Sequence, residues 1–308
     1  VGAPVALCRL VFGYHPQPLD LQVGLVTVTP LADLAEVVGQ MDASEGVERG
    51  WIYAPLQDVR GFSGEVRTQP YTSRVFGLPK THLLVHKAAD SDEHVAFHLW
   101  ALSFFCGLRL TATEAGFLDA TPLKPGMLVD FVTLGDSLAK SVELTEAFWN
   151  TNRSEPRRAR LLAAAVHALF LGQNPRNLQF ENFVFLYTAL DACYALAASL
   201  RPPPKALKHA DRVAWMCNLF GITIPFWADP NASGGSEVAT IRNATIHEAL
   251  FMGEPLGFAL HGIGTSQNLP LEMKALICRL LVALSGGDNA EYVRSPIHTR
   301  HRHGLDLG

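Results

Sequence analysis

Residues 180–197 read FENFVFLYTALDACYALA, and their apolar positions recur at alternating steps of four and three. Phe183, Tyr187, Leu190, Tyr194 and Ala197 therefore share one face of a helix, and that face needs a partner to bury it. The helix is predicted to stop at Pro202-Pro203-Pro204, because proline cannot continue it. Upstream, Leu162, Val166, Leu169 and Phe170 share a face within residues 156–171. Downstream, Val213, Met216, Cys217 and Phe220 are in register. From Pro270, a stripe of Met273, Leu276, Ile277, Leu280, Leu281 and Leu284 ends at Ser-Gly-Gly. Helices with one apolar face and fairly short connections bury those faces on each other. Residues 143–290 are thus predicted to form an all-α bundle of about five helices.

Residues 1–142 differ in character. Short β-like runs occur at 5–12, 21–28, 81–87 and 128–134, separated by turn-rich stretches. Helices are predicted at 31–41 and, more apolar, at 94–105. The fold class expected is an α+β N-terminal domain followed by the helical bundle. Residues 291–308 read as a loosely ordered basic, histidine-rich tail.

The 308 residues are 48% hydrophobic and 18% charged, with a net charge of −4. That composition supports a buried core and argues against a protein that coats nucleic acid non-specifically, although a local basic site is compatible with it. Five scattered cysteines (Cys8, Cys106, Cys193, Cys217, Cys278) form no metal-type pair and read as small core residues of a reducing compartment. The first residues lack the order of a signal peptide, and no apolar run approaches the roughly 18 residues of a membrane span. A soluble, cytoplasmic protein without membrane contact is expected.

The run SGGSEVATIRNATIHEALFMGEP, residues 233–255, reads as the bundle's fourth helix. Ser236 suits the N-cap, Glu237 complements the positive helix terminus, and Gly253 with Pro255 is expected to close the far end. Inside it stands RNATIH, 242–247. On a regular helix Asn243 and His247 lie on the same side. Arg242 points about 100° away, but its long stem can return the guanidinium toward His247. A permanent cation, an amide and an imidazole together suit phosphodiester chemistry.

An Arg-Asn-x-x-x-His motif in the fourth helix of such a bundle, followed by one more amphipathic helix, resembles the HEPN superfamily. Residues 180–197 also look like the HEPN helix that ends in an acidic signature, with Asp191 where Glu is commoner. The resemblance covers roughly residues 150–288. It implies a metal-independent endoribonuclease that works as a homodimer, with two motifs facing each other in one composite site. By that resemblance His247 is the general acid/base and Arg242 binds the scissile phosphate. Asn243 positions, and Asp191 orients Arg242 or His247 from the neighbouring helix. The 2′-hydroxyl attacks the adjacent phosphorus, leaving a cyclic phosphate and a 5′-hydroxyl. The family also points to stress response or anti-phage defence. One toxin branch has a tyrosine two residues after the motif histidine; this chain has Ala249 there, so that toxin–antitoxin arrangement is not supported. The alternative is a HEPN-like module that binds RNA or dimerises without catalysis.

Basic residues before two helices, Arg157 and Arg158 in one cluster and Lys205, Lys208 and Arg212 in the other, are candidates for an RNA path. Tail histidines His298, His301 and His303 lack preorganised geometry for a metal, and His167 and His261 read as structural. Gly234-Gly235 precedes a helix N-terminus but has no strand before it and no Lys-Ser/Thr after it, which argues against a nucleotide loop. No cofactor and no metal is expected; RNA and a second copy of the chain are the expected partners.

Overall fold

The computed structural model describes residues 8–54, 56–69, 75–113, 117–118, 120–257, 269–297 and 301–308. The chain is a mixed α+β protein and divides into two compact units, Val1–Leu128 and Val129–Gly308.

In the first unit, strands Cys8–Phe12, His82–His86, Val26–Pro30 and Leu21–Val23 form one antiparallel sheet in that order. Helix α1 (Leu34–Asp42) supplies Val37 and Met41 to an apolar cluster with Tyr14, Ile52, Phe76, Leu78 and Leu123. Helix α2 (Asp92–Cys106) packs on the strands Cys8–Phe12 and His82–His86. Its start is fixed by Ser91, whose hydroxyl accepts from His94 N at 3.2 Å, and its end by Gly107 in the left-handed conformation. Smaller sheets come from stretches with weak strand patterning, among them the hairpin Gln57–Arg60 with Val66–Gln69.

His82 is buried in that sheet. Its Nε2 accepts from Leu19 N at 3.0 Å, and its Nδ1 lies 2.9 Å from the Thr81 hydroxyl. Burial, with His15 beside it, pushes its pKa down from 6.5 to about 4. A depressed imidazole pKa means that the unfolded chain takes up the proton first. Stability is therefore expected to be full above pH 6.5 and to fall progressively as pH drops toward 4. Chemical denaturation across that window checks this, and His82→Gln should flatten the slope.

In the second unit the helices are α3 (Ser137–Thr151), α4 (Pro156–Leu171), α5 (Gln179–Leu200), α6 (His209–Phe220), α7 (Glu237–Asn243), α8 (Leu269–Val282) and α9 (Glu291–Arg294). α4 and α5 form the most extensive pair, and α8 packs on both. The close approach of α4 to α5 needs Gly172, since a Cβ there would stand 2.9 Å from Leu186 Cγ. The stripe read on α5 is buried at Phe183, Tyr187, Leu190 and Ala197. Tyr194 is half-buried and meets Trp215 edge-on. By length and composition α5 is apolar enough to cross a membrane, with mean hydropathy 1.6, which corrects the expectation that no run comes near that length. Here it serves as a core helix, packed on α4 and α8.

α8 was expected to present one apolar face, but Ala275, Cys278 and Arg279 are buried as well as the stripe, so from Ala275 onward the helix is enclosed all round. Arg279 is 0% exposed. Its Nη1 donates to Asp130 Oδ2 at 2.7 Å, its Nε to Ser295 O at 3.0 Å, and its Nη2 to Ser295 Oγ at 2.9 Å and Pro296 O at 3.0 Å. The guanidinium lies over the Tyr292 ring, and the Tyr292 hydroxyl donates to Asp130 Oδ1.

Three further sequence expectations are corrected here. The division falls after Leu128, not at residue 142, because the strand Phe131–Thr133 belongs to the second unit. That strand pairs in parallel with His303–Leu305, so the supposed tail of 291–308 is built into the fold through α9, the Arg279 network and this strand. A further helix, α3, precedes the five that were expected. Four of the five cysteines are buried and all are free thiols, as read. His261 and His298 lie outside the described residues.

Candidate functional site

The motif helix does not run unbroken to Gly253. α7 ends at Asn243 and continues as a π-helical turn, Ala244–Glu248, which Ala249 terminates in the left-handed conformation. Met252 and Gly253, both with positive φ, then form the two-residue turn of a hairpin that pairs Leu250–Phe251 with Glu254–Pro255. Ser236 precedes α7, but its hydroxyl does not cap the helix.

The π turn matters for geometry. On a regular helix, residues five apart point about 140° away from each other. The wider turn, which bonds i to i+5, reduces that divergence. Arg242 Nη1 consequently stands 3.1 Å from His247 Nε2 and donates to Asn243 Oδ1 at 3.0 Å. A guanidinium only donates, so His247 Nε2 is the unprotonated ring nitrogen and its proton sits on Nδ1. All three expected motif residues are thus drawn together. Asn243 and His247 are exposed while Arg242 is half-buried.

Arg242 also lines a cavity of about 150 Å³, together with Thr245 and Ile246 from the turn and Phe183, Tyr187, Thr188 and Asp191 from α5. Asp191 therefore reaches the same cavity as the motif, but its ion-pair partners lie elsewhere. Arg212 Nη1 donates to Asp191 Oδ1 at 2.9 Å, and Asp191 stands 3.8 Å from His209 Nδ1. The expected role for Asp191, orienting Arg242 or His247 directly, is replaced by a contact with α6.

Two residues of this polar layer, Tyr187 and His209, were not among the sequence candidates. Arg212 Nη1 stands 3.1 Å from His209 Nδ1, so Nδ1 is the acceptor, and the Tyr187 hydroxyl donates to it at 2.8 Å. Burial pushes the Tyr187 pKa up, with Asp191 adding to the effect and Arg212 and Arg242 opposing it. Burial also lowers the His209 pKa; Arg212 and, more weakly, Arg242 push the same way, and Asp191 opposes. Both groups thus feel the motif arginine. Spacing was the available signal: Tyr187 and Asp191 are four apart on α5, and His209 and Arg212 three apart on α6.

The charge balance around His209 gives a test. Arg212→Ala should raise the imidazole pKa, and Asp191→Asn should lower it further, both read from the ring proton shifts in an NMR titration. Equal titration in all three proteins would contradict the layer described.

The other basic candidates fare differently. Arg212 is committed to Asp191 and stacks over Tyr194, so it organises the site rather than offering an open cation. Arg158 donates to Asn152 Oδ1 and to Ser199 O, tying α4 to its surroundings. Arg157, Lys205 and Lys208 are exposed. A larger cavity of about 440 Å³, lined by residues such as Phe148, Leu200, Phe220 and Leu284, contains none of the motif residues. Comparison with known family models, with curated proteins and with solved structures finds no match.

Proposed function

We propose that the second unit is a HEPN-type endoribonuclease that cleaves RNA without a metal ion, with Arg242, Asn243 and His247 as half of a site completed by a second copy of the chain. The observation that carries this reading is the Arg242 guanidinium bonded to Asn243 and His247 while Arg242 lines a cavity.

The unprotonated Nε2 of His247 removes the proton of a 2′-hydroxyl as that oxygen bonds to the adjacent phosphorus. The P–O5′ bond breaks, and the leaving oxygen takes a proton from an imidazolium. One chain has one such histidine in the motif, whereas the reaction needs a proton acceptor and a proton donor. His247 of a second copy fills the second role. Arg242 binds the non-bridging phosphate oxygens, where its planar fork and fixed charge match the transition state. Substrate phosphate takes over the guanidinium donors that now hold His247, which leaves the imidazole lone pair for the hydroxyl. Asn243 keeps the arginine fork in register, while the layer of Tyr187, Asp191, His209 and Arg212 holds the cavity wall behind it.

Two features support a dimeric site. Asn243 and His247 are exposed, and Ile246 between them leaves 54% of its surface uncovered. An apolar side chain beside catalytic groups suits burial against a second copy. Light scattering on the purified chain at working concentration tests this, and a monomer that still cuts RNA would remove the composite site. Incubation with total RNA in the presence of a chelator tests the activity. If wild type, Arg242→Ala and His247→Ala behave alike, the unit is a binding or dimerisation module instead. A cytoplasmic role in stress or anti-phage defence is part of the same proposal.

A further inference from the structure

We propose that His86, His94 and His98 form a binding site for a zinc-class divalent metal ion within the first unit. His86 ends the strand His82–His86, whose inward positions are His82, Leu84 and His86. His94 and His98 are four apart on α2 and so occupy one face of that helix. Because α2 packs on this strand, the three rings meet. Their centroids are 4.4 Å (His86–His94), 5.2 Å (His86–His98) and 5.3 Å (His94–His98) apart. One ring nitrogen from each lies within 4.8 Å of the others. None of the three is more than 3% exposed.

Three converging imidazoles are an expensive way to fill space in a core, because every ring carries two polar nitrogens that need partners. As metal ligands the same residues have a chemical purpose. Neutral imidazole prefers zinc, cobalt, nickel or copper over magnesium or calcium. A tetrahedral zinc with bonds of 2.0–2.1 Å holds its ligand atoms about 3.3 Å apart, so the present nitrogens need only small side-chain rotations to close on an ion. Three histidines leave a fourth position for water or a carboxylate. Asp90 Oδ1 stands 3.3 Å from His94 Nδ1, in the place of the carboxylate that commonly orients a metal-bound imidazole. Its negative charge also offsets that of the cation. His86 Nδ1 accepts from Ala88 N at 3.2 Å. Coordination through either ring nitrogen gives up that bond, because the metal takes the lone pair of Nδ1 or moves the ring proton onto it. The ion would fasten the end of the strand to the first turns of α2. This reading is independent of the ribonuclease proposal, which concerns the other unit and uses no metal.

The test uses the full chain without an added histidine tag, stripped with a strong chelator and titrated with Co²⁺ and then Zn²⁺. Binding of one ion per chain, with visible bands of tetrahedral cobalt that zinc abolishes, is expected. Metal should also raise the thermal midpoint. His94→Gln/His98→Gln should lose the bound equivalent, whereas His298→Asn/His301→Asn should keep it. Should the first variant fail to fold, X-ray absorption at the zinc edge of the His298→Asn/His301→Asn protein takes its place, with a shell containing three imidazoles expected. No stoichiometric uptake, uptake that persists in His94→Gln/His98→Gln, or a ligand shell without three imidazoles would each overturn the proposal.

Discussion

His247→Ala is expected to lower RNA cleavage by about 10²–10⁴-fold while leaving folding intact, the range that a positioned proton donor or acceptor contributes. The side chain is exposed and its contact is with Arg242 Nη1, so removing it opens no cavity in the core. Arg242→Ala should be at least as damaging, because it removes the proposed phosphate ligand and the donor that contacts both Asn243 and His247. Arg242→Lys separates charge from geometry. A lysine keeps the positive charge but lacks the planar fork, so partial activity would show that electrostatics alone carries part of the effect. Initial rates on a defined RNA with chelator present, beside circular dichroism of each variant, give the comparison. In a composite site that needs His247 from both copies, mixing the two inactive alanine variants should not restore activity, because the mixed dimer still holds only one His247.

The largest expected stability effect lies in the same unit but far from the motif in sequence. Asp130→Ala should destabilise the protein by about 3–5 kcal/mol, because it leaves a fully buried guanidinium without its counter-charge. Arg279 is enclosed, and its remaining acceptors are neutral carbonyls and a hydroxyl, which cannot replace the carboxylate. Tyr292 loses its acceptor as well. Burial alone holds its pKa well above the ordinary value, so ionisation offers no escape. The double change Asp130→Leu/Arg279→Met should recover much of that loss, since a buried ion pair is replaced by apolar groups with little net cost. Denaturant unfolding of the three proteins checks this. An Asp130→Ala protein as stable as wild type would mean that the network does not hold the strand and C-terminal residues to α8.

What the sequence disclosed follows from where periodicity survives. The face of α5 and the stripe of α8 are built from large apolar residues at helical spacing, so both helices could be read directly. α3 could not, because its buried face mixes Ser137, Ser141 and Thr145 with Val142, Phe148 and Trp149. Two of those hydroxyls bond back to carbonyls of their own helix, Ser141 to Leu138 O and Thr145 to Ser141 O, which makes polar residues compatible with burial. The strand Phe131–Thr133 was visible as a strand, but its partner lies some 170 residues on, and local pattern carries no information about that distance.

The candidate site was legible as residue types before it was legible as geometry. Arg242, Asn243 and His247 could be chosen from residue type and spacing, but the π turn that draws the arginine to the histidine leaves no mark in RNATIH. Asp191 was selected for the right cavity with the wrong contacts, since pairing with Arg212 depends on how α6 packs. His94 and His98 carried a usable signal, two histidines at i and i+4. It was hidden within a run that reads simply as an apolar helix.

The most direct test of the central claim is the chemistry of the cut ends. Purified protein with chelator is given an RNA oligonucleotide and a matched one with a single 2′-deoxy nucleotide at the cleaved position. Cleavage of the first to a 2′,3′-cyclic phosphate and a 5′-hydroxyl, with no cut at the substituted position in the second, is the predicted result. A 3′-hydroxyl with a 5′-phosphate, or cleavage indifferent to the missing 2′-hydroxyl, would contradict the assignment of His247 and Arg242.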